Sequence, residues 1–143
     1  MFNKTIDDRL SDWAAFRKTL DTSATPFEDV WEYWKQAPYV PYNHNVDPFN
    51  QRSWPTPWEI IVHNKYDDFT KAVMIGWTLL LTDKFKTGKI EIKTLVNDKK
   101  SCYYNIVCVD DVAINYNDNG PIFIKDIPGS FFIENIVELK SPW

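Results

Sequence analysis

Two cysteines and two histidines are the side chains of this sequence that could form a catalytic thiol and its base. A nucleophilic thiol needs a neighbouring base, so Cys102 or Cys108 would have to meet His44 or His63. Neither cysteine is predicted at a helix N-terminus, where the helix dipole would lower the pKa of its thiol. In an extended strand the two cysteines would lie about 20 Å apart, which is beyond the reach of a disulfide. We therefore predict two buried, unpaired thiols and no catalytic residues.

A metal site is the next chemistry that the residue types could support. His63 and Asp67 are four positions apart and would share one face of a continuous helix. A structural zinc ion is normally held by about four ligands, and this spacing supplies only two. The pattern therefore predicts a structural histidine at position 63 and no metal ion.

The segment 115–126 matches part of the pattern of a calcium-binding loop. Oxygen-bearing side chains alternate along it, Gly120 falls at the sharp turn, and Asp126 falls at the last ligand position. The matched positions 115, 117 and 119 are neutral asparagines, however, so Asp126 is the one carboxylate among them. Clusters of Asn, Asp and Gly are also typical of hairpin turns. We predict a turn here, with no metal and no other cofactor.

Composition limits the classes of partner. The 143 residues carry a net charge of −4 and 44% hydrophobic residues, which is typical of a single globular domain over 1–143. A nucleic-acid partner is not expected, because non-specific binding needs a basic face. No apolar run approaches the roughly 18 residues of a membrane span, so we expect no membrane association. Aromatic residues make up 16%, which favours a protein partner or a homo-oligomer.

The first quarter of the chain is predicted to be helical. Apolar residues recur at helical spacing over residues 5–20. Thr25-Pro26-Phe27-Glu28 then has the pattern of a capping box with proline at the first helical position, so a second helix should begin there. Residues 1–36 are therefore predicted to be the N-terminal helices.

Residues 58–143 are predicted to form the α+β core. A second capping box, Thr56-Pro57-Trp58-Glu59, begins a helix, and the apolar segment 67–82 predicts a central buried helix with a close neighbour at Gly76. Alternating apolar residues and turn signals predict strands over residues 89–96, 103–109, 112–116, 122–124 and 135–139. The expected fold class is α+β, with N-terminal helices, the central helix and an antiparallel sheet of four to five strands.

Between the two helical regions, residues 37–57 have the composition of an extended arm. Five prolines are interleaved with aromatic residues, whereas a flexible linker would be rich in Gly and Ser. The partner-binding residues predicted in this arm are Tyr39, Tyr42, Phe49 and Trp54. Two interpretations remain open, because the arm could pack on the protein's own core or on a neighbouring subunit.

Two segments of the chain carry a resemblance to known proteins. Ser53-Trp54-Pro55-Thr56-Pro57-Trp58-Glu59 and Tyr66-Asp67-Asp68-Phe69-Thr70-Lys71-Ala72 resemble small uncharacterised proteins of T4-like tailed phages. The resemblance covers residues 38–81 and extends more weakly to the end of the chain. It implies a viral origin and no particular activity.

A helix that begins at Asp67-Asp68-Phe69 is followed by the segments Tyr103-Tyr104-Asn105-Ile106-Val107 and Ile114-Asn115-Tyr116-Asn117. This order of elements, over about half of the chain, resembles a transglutaminase-like core. In that family a helix carries the catalytic Cys near its N-terminus, and the strands that follow carry His and then Asp. Here Asp68 stands in place of the Cys, Tyr104 in place of the His, and Asn117 in place of the Asp. The resemblance therefore implies a catalytically degenerate copy of the scaffold.

These observations predict a non-enzymatic protein-interaction protein, most concretely a tailed-phage virion or assembly component. One alternative is a phage-encoded inhibitor or sponge that acts on a host defence factor. Another is a catalytically degenerate transglutaminase-like protein. The opening residues show no signal-peptide pattern, so the expected location is the host cytoplasm or the virion.

Overall fold

The computed structural model describes residues 1–99 and 101–142. Lys100 and Trp143, which belong to the predicted 58–143 core, lie outside the described residues. The helices of the described part are α1 (Ile6–Leu20), α2 (Pro26–Lys35), α3 (Pro57–His63) and α4 (Asp68–Leu80). The strands are β1 (Ile90–Val96), β2 (Tyr103–Val109), β3 (Val112–Ile114), β4 (Ile122–Phe123) and β5 (Phe132–Glu138). They form one antiparallel sheet in the order β4-β3-β2-β1-β5, which confirms the predicted α+β class.

The two predicted capping boxes have different outcomes. At α3 the box is confirmed, because the Thr56 hydroxyl accepts from the Glu59 backbone N–H and the Glu59 carboxylate accepts from the Thr56 N–H. At α2 the prediction is wrong, since Thr25 makes no side-chain cap. Its backbone (φ −133°, ψ 59°) directs the hydroxyl to the Asp29 carboxylate at 3.1 Å instead. The helix nevertheless begins at Pro26, where proline suits the first turn.

Helix α4 is the central buried helix that the apolar pattern predicts. Eleven of its thirteen residues are buried, and it packs against α2 on one side and against β1 and β2 on the other. A Cβ atom added at Gly76 would overlap the Leu139 side chain and lie 3.3 Å from Ile90 Cγ2. The close packing expected at Gly76 is therefore confirmed. Among the described residues, no helix is long and apolar enough to span a lipid bilayer.

The sheet is covered on both faces. The face toward α4 contributes Ile90, Ile92, Val107 and Val109 to the main core. On the opposite face, a smaller cluster of Leu95, Ile106, Cys108 and Ala113 is covered by partly buried apolar residues from β4, the β4–β5 connection and the neighbouring loops. Because both faces are apolar here, β2 is buried at four consecutive positions, 106–109, rather than at alternating ones.

The structure corrects the ends of three strands. Strand β3 ends at Ile114 rather than residue 116, because Asn115 has a left-handed backbone (φ 75°). Strand β4 gives way after two residues to a 3-10 helix, Ile124–Asp126. Strand β5 begins at Phe132, three residues before the predicted start, and pairs with β1 over its whole length with one irregularity beside Thr94.

Candidate functional site

The two histidines lie together, but the thiols lie elsewhere. His44 from the arm and His63 from the end of α3 line one cavity of about 510 Å³, which includes Glu59 and neither cysteine. Helix α3 is capped at its C-terminal end by Asn64 in a left-handed conformation, and Asp67 caps the N-terminus of α4. His63 and Asp67 therefore do not belong to one continuous helix and do not share a helix face. Within residues 1–99 and 101–142, no group of three His, Cys, Asp or Glu side chains could hold a metal ion.

The expectation of two buried thiols holds for one cysteine only. Both cysteines are free, but Cys102 is exposed just before β2 and only Cys108 is buried. Burial raises the pKa of the Cys108 thiol, because a thiolate there would lose its hydration. Cys108 is therefore a structural side chain of the smaller cluster, and Cys102 is the accessible thiol.

This difference predicts selective alkylation of the native protein. Iodoacetamide should modify Cys102 first and Cys108 more than about tenfold more slowly, because Cys108 is both shielded and protonated at neutral pH. Peptide mapping after timed labelling measures both rates, and a Cys102→Ser variant isolates the slower one. Labelling in urea should equalise the two cysteines. Equal rates in the native state would contradict the placement of Cys108.

Residues 115–121 form the turn between β3 and β4, as predicted, and the rest of the segment 115–126 is β4 and the 3-10 helix that follows it. The Asn117 side-chain oxygen accepts from the Asn119 backbone N–H at 2.9 Å, which is the hydrogen bond of an Asx turn. Gly120 has a φ of 102° and lies against the Trp31 ring. Asp126 ends the 3-10 helix that follows β4. The backbone turn thus accounts for the residue types that resemble a calcium loop.

A polar cluster does form where α4 meets β2 and the end of β3. Of the three residues that the transglutaminase resemblance names, it includes Asp68 but neither Tyr104 nor Asn117. The Asp68 carboxylate accepts hydrogen bonds from Asn105 Nδ2 at 3.0 Å and Asn115 Nδ2 at 3.5 Å. Tyr104 packs instead against the smaller cluster on the opposite face of the sheet, with its ring 5.1 Å from that of Tyr116. Neighbouring strand residues point to opposite faces, so Asn105 rather than Tyr104 faces α4. The three side chains of the cluster are one carboxylate and two amides, and none of them is a thiol or an imidazole.

The arm, residues 37–57, is anchored on the protein's own core. It is not extended throughout as predicted, because its backbone forms turns and the 3-10 helix Gln51–Ser53. A short parallel bridge ties its first residues to the segment before α4: the Val40 N–H donates to Tyr66 O at 3.0 Å, and the Tyr66 N–H donates to Pro38 O at 3.2 Å. Further along, the buried Asn43 donates its backbone N–H to Asp67 Oδ2 at 2.9 Å and its side-chain amide to Lys65 O at 3.1 Å. Val46 then enters the main core.

Three of the four predicted partner-binding residues point away from this anchorage. Tyr39, Tyr42 and Phe49 are 72%, 70% and 76% exposed, and we call them the arm aromatics. Phe49 is held in place because its backbone N–H donates to Asp47 Oδ1 at 2.9 Å. Trp54 differs: it is partly buried, with its ring 5.7 Å from Phe69. Trp54 is therefore a packing residue as well as a surface one.

Sequence reasoning did not find a second apolar surface beside the arm. Phe132, Ile133 and Ile136 of β5, which we call the edge-strand patch, are between 49% and 61% exposed on a strand at the edge of the sheet. The Asn135 amide donates to Pro48 O at 3.0 Å, so the residue before Phe49 touches β5. The apolar run at residues 131–133 is the signal that could have indicated this surface. The alternation pattern, however, predicts a strand that begins at residue 135, two residues after the run.

Comparison with known proteins adds no family to these observations. No protein-family model matches the chain, and a search of curated proteins finds no significant match.

Proposed function

We propose that this protein is a non-enzymatic interaction protein, and most concretely a structural or assembly component of a tailed-phage virion. The observation that supports this is the pairing of exposed aromatic side chains with an anchored backbone. Tyr39, Tyr42 and Phe49 are exposed although hydrogen bonds fix the segments that carry them. A partner that covered them would order little additional backbone on binding, which lowers the entropic cost of association.

The size of this surface fits a protein partner. Three aromatic side chains, each exposing about seven-tenths of roughly 200 Å², present about 400 Å². A stable interface buries about 800 Å² on each partner, so the arm aromatics would supply roughly half of one side. The edge-strand patch supplies further exposed apolar area on β5, the strand whose Asn135 amide donates to Pro48 O. Tyrosine and phenylalanine are also among the residues enriched at interface centres.

Mass spectrometry of purified phage particles tests the proposal. We expect the protein at a fixed number of copies per particle. A tagged variant with Tyr39→Ser, Tyr42→Ser and Phe49→Ser should fall to less than about a tenth of that amount, because several interface anchors are lost together. Its thermal unfolding should match the parent protein, since all three side chains are exposed.

A matched control is Phe123→Ser, which removes a half-exposed aromatic at the other end of the sheet. It should leave incorporation unchanged. Absence of the protein from particles, with abundant free protein early in infection, would contradict the virion role and favour the alternative of an inhibitor or sponge that acts on a host defence factor. Normal incorporation of the triple variant would contradict the role of the arm.

The polar cluster at Asp68 favours a second candidate, a catalytically degenerate transglutaminase-like protein. Its support is that the N-terminus of α4, β2 and the end of β3 meet there in the order that the resemblance implies. This candidate concerns the origin of the scaffold and is compatible with the interaction role. Superposition of an experimental structure on transglutaminase-like domains would support it if Asp68 fell at the cysteine position, and a different helix at that position would contradict it.

A further inference from the structure

A cavity of about 340 Å³ lies where the end of the arm meets α4 and the C-terminal segment. Its lining includes Arg52, Trp54, Pro55, Trp77, Lys140 and Pro142. The volume falls within the range of small-molecule sites, which are typically about 300–1,000 Å³ and lined mainly by apolar and aromatic groups. The cavity therefore has the size and the apolar character of a site for one small ligand rather than for a polymer.

The two indole rings in this cavity are held in fixed positions. Trp54 donates its indole N–H to Asp47 O, and Trp77 donates its indole N–H to Lys140 O at 3.1 Å. The rings are perpendicular, at 88°, with their centroids 6.0 Å apart. Because both rings already have hydrogen-bond partners and ring contacts, an incoming aromatic ring would meet a preformed surface.

The charged residues of the lining are all cationic. Arg52 and Lys140 are exposed, and among the described residues neither forms a salt bridge. Of the described residues that line the cavity, none is Asp or Glu, although the chain as a whole has 20 acidic residues and 16 basic ones. Two unpaired cations beside an aromatic wall favour an anionic group on the ligand, since a guanidinium or ammonium forms strong hydrogen bonds with carboxylate and phosphate.

We propose that this cavity binds a small aromatic anion, that is, one aromatic ring system that bears a carboxylate or phosphate group. The ring contacts Trp54 and Trp77, and the acidic group lies between Arg52 and Lys140. This site is independent of the interaction surface proposed above, because it uses none of the arm aromatics and none of the edge-strand patch.

Titration of the full chain, labelled at its tryptophan indoles, tests the site by NMR. The probes are 2-naphthoate with its neutral amide, and adenosine 5′-monophosphate with adenosine. We expect the indole N–H signals of Trp54 and Trp77 to move with at least one anion, and the neutral partner to bind about tenfold or more weakly. The signals of Trp13 and Trp34 should stay in place, because both indoles are buried and bonded to Thr78.

Paired variants identify the cations. Arg52→Gln with Lys140→Gln should weaken anion binding about tenfold or more, whereas Lys86→Gln with Lys89→Gln, which removes the same charge elsewhere, should change it by less than about twofold. The single variants Arg52→Gln and Lys140→Gln, with thermal unfolding of each, separate lost binding from lost folding.

Binding of the carboxylate alone or of the phosphate alone supports the site and identifies its acidic group. The proposal is overturned if neither anion moves the Trp54 and Trp77 signals, if the neutral partners bind equally well, or if the Arg52 and Lys140 variants bind as tightly as the parent protein.

Discussion

Replacing Thr78 by valine is expected to lower the free energy of unfolding by about 2–6 kcal/mol, although the two side chains have nearly the same shape. The Thr78 hydroxyl accepts from the indole N–H groups of Trp13 and Trp34, each at 3.0 Å, and donates to Met74 O. One hydroxyl thus uses its single donor and both of its acceptor sites. Valine would leave two buried indole N–H groups without a partner, and each such group costs about 1–3 kcal/mol.

Serine at the same position is the matched control. Thr78→Ser keeps the hydroxyl and removes one buried methyl, so we expect a loss of about 1 kcal/mol. Urea unfolding followed by tryptophan fluorescence gives both free energies, with far-UV circular dichroism as a second probe of two-state behaviour. A valine variant no less stable than the serine variant would show that the two indoles do not depend on Thr78.

Truncating Trp77 to alanine should lower the free energy of unfolding by about 3–5 kcal/mol, the range for a large buried aromatic side chain. Trp77 is 6% exposed on α4, packs edge-on against Trp54, and bonds to the C-terminal segment through Lys140 O. Alanine would remove this packing and leave a cavity that the surrounding helix and sheet could fill only in part. Chemical denaturation of the purified variant measures the loss.

The control for Trp77→Ala is the truncation of an exposed aromatic residue elsewhere in the protein. Phe123→Ala should cost less than about 1 kcal/mol, because the Phe123 side chain is half exposed at the edge strand β4. A loss under about 1 kcal/mol for Trp77→Ala would mean that Trp77 does not support the core. That result would also argue against the proposed ligand cavity, because its fixed aromatic wall includes Trp77.

The helices and the central strands could be predicted because their signals are local. The capping box at Thr56 and Glu59 acts within four residues, so it identifies the start of α3 without knowledge of what the helix packs against. The apolar segment that becomes α4 is long enough to indicate burial on most sides. Strand β2 was predicted with its observed bounds, since turn-forming residues flank its apolar run.

The predictions were wrong where contacts with residues distant in the sequence determine the local structure. Strand β5 begins at Phe132 because it pairs with β1, about 40 residues earlier in the chain, and local alternation at 135–139 shows only part of that pairing. Cys102 and Cys108 differ in exposure for a similar reason. The β4–β5 connection covers Cys108, while nothing in the local sequence shows that Cys102 lies outside that cover.

By itself, the sequence determined the class of fold and the aromatic character of the arm. Only the tertiary structure decided which side of the arm faces solvent. Val46 and Asn43 are buried while Tyr39, Tyr42 and Phe49 are exposed, because hydrogen bonds to residues 65–67 orient the segment. Within the arm, hydrogen bonds form short turns and the 3-10 helix Gln51–Ser53, which are too short to set a repeat with one buried face. The surface that the arm packs against therefore decides which side is buried.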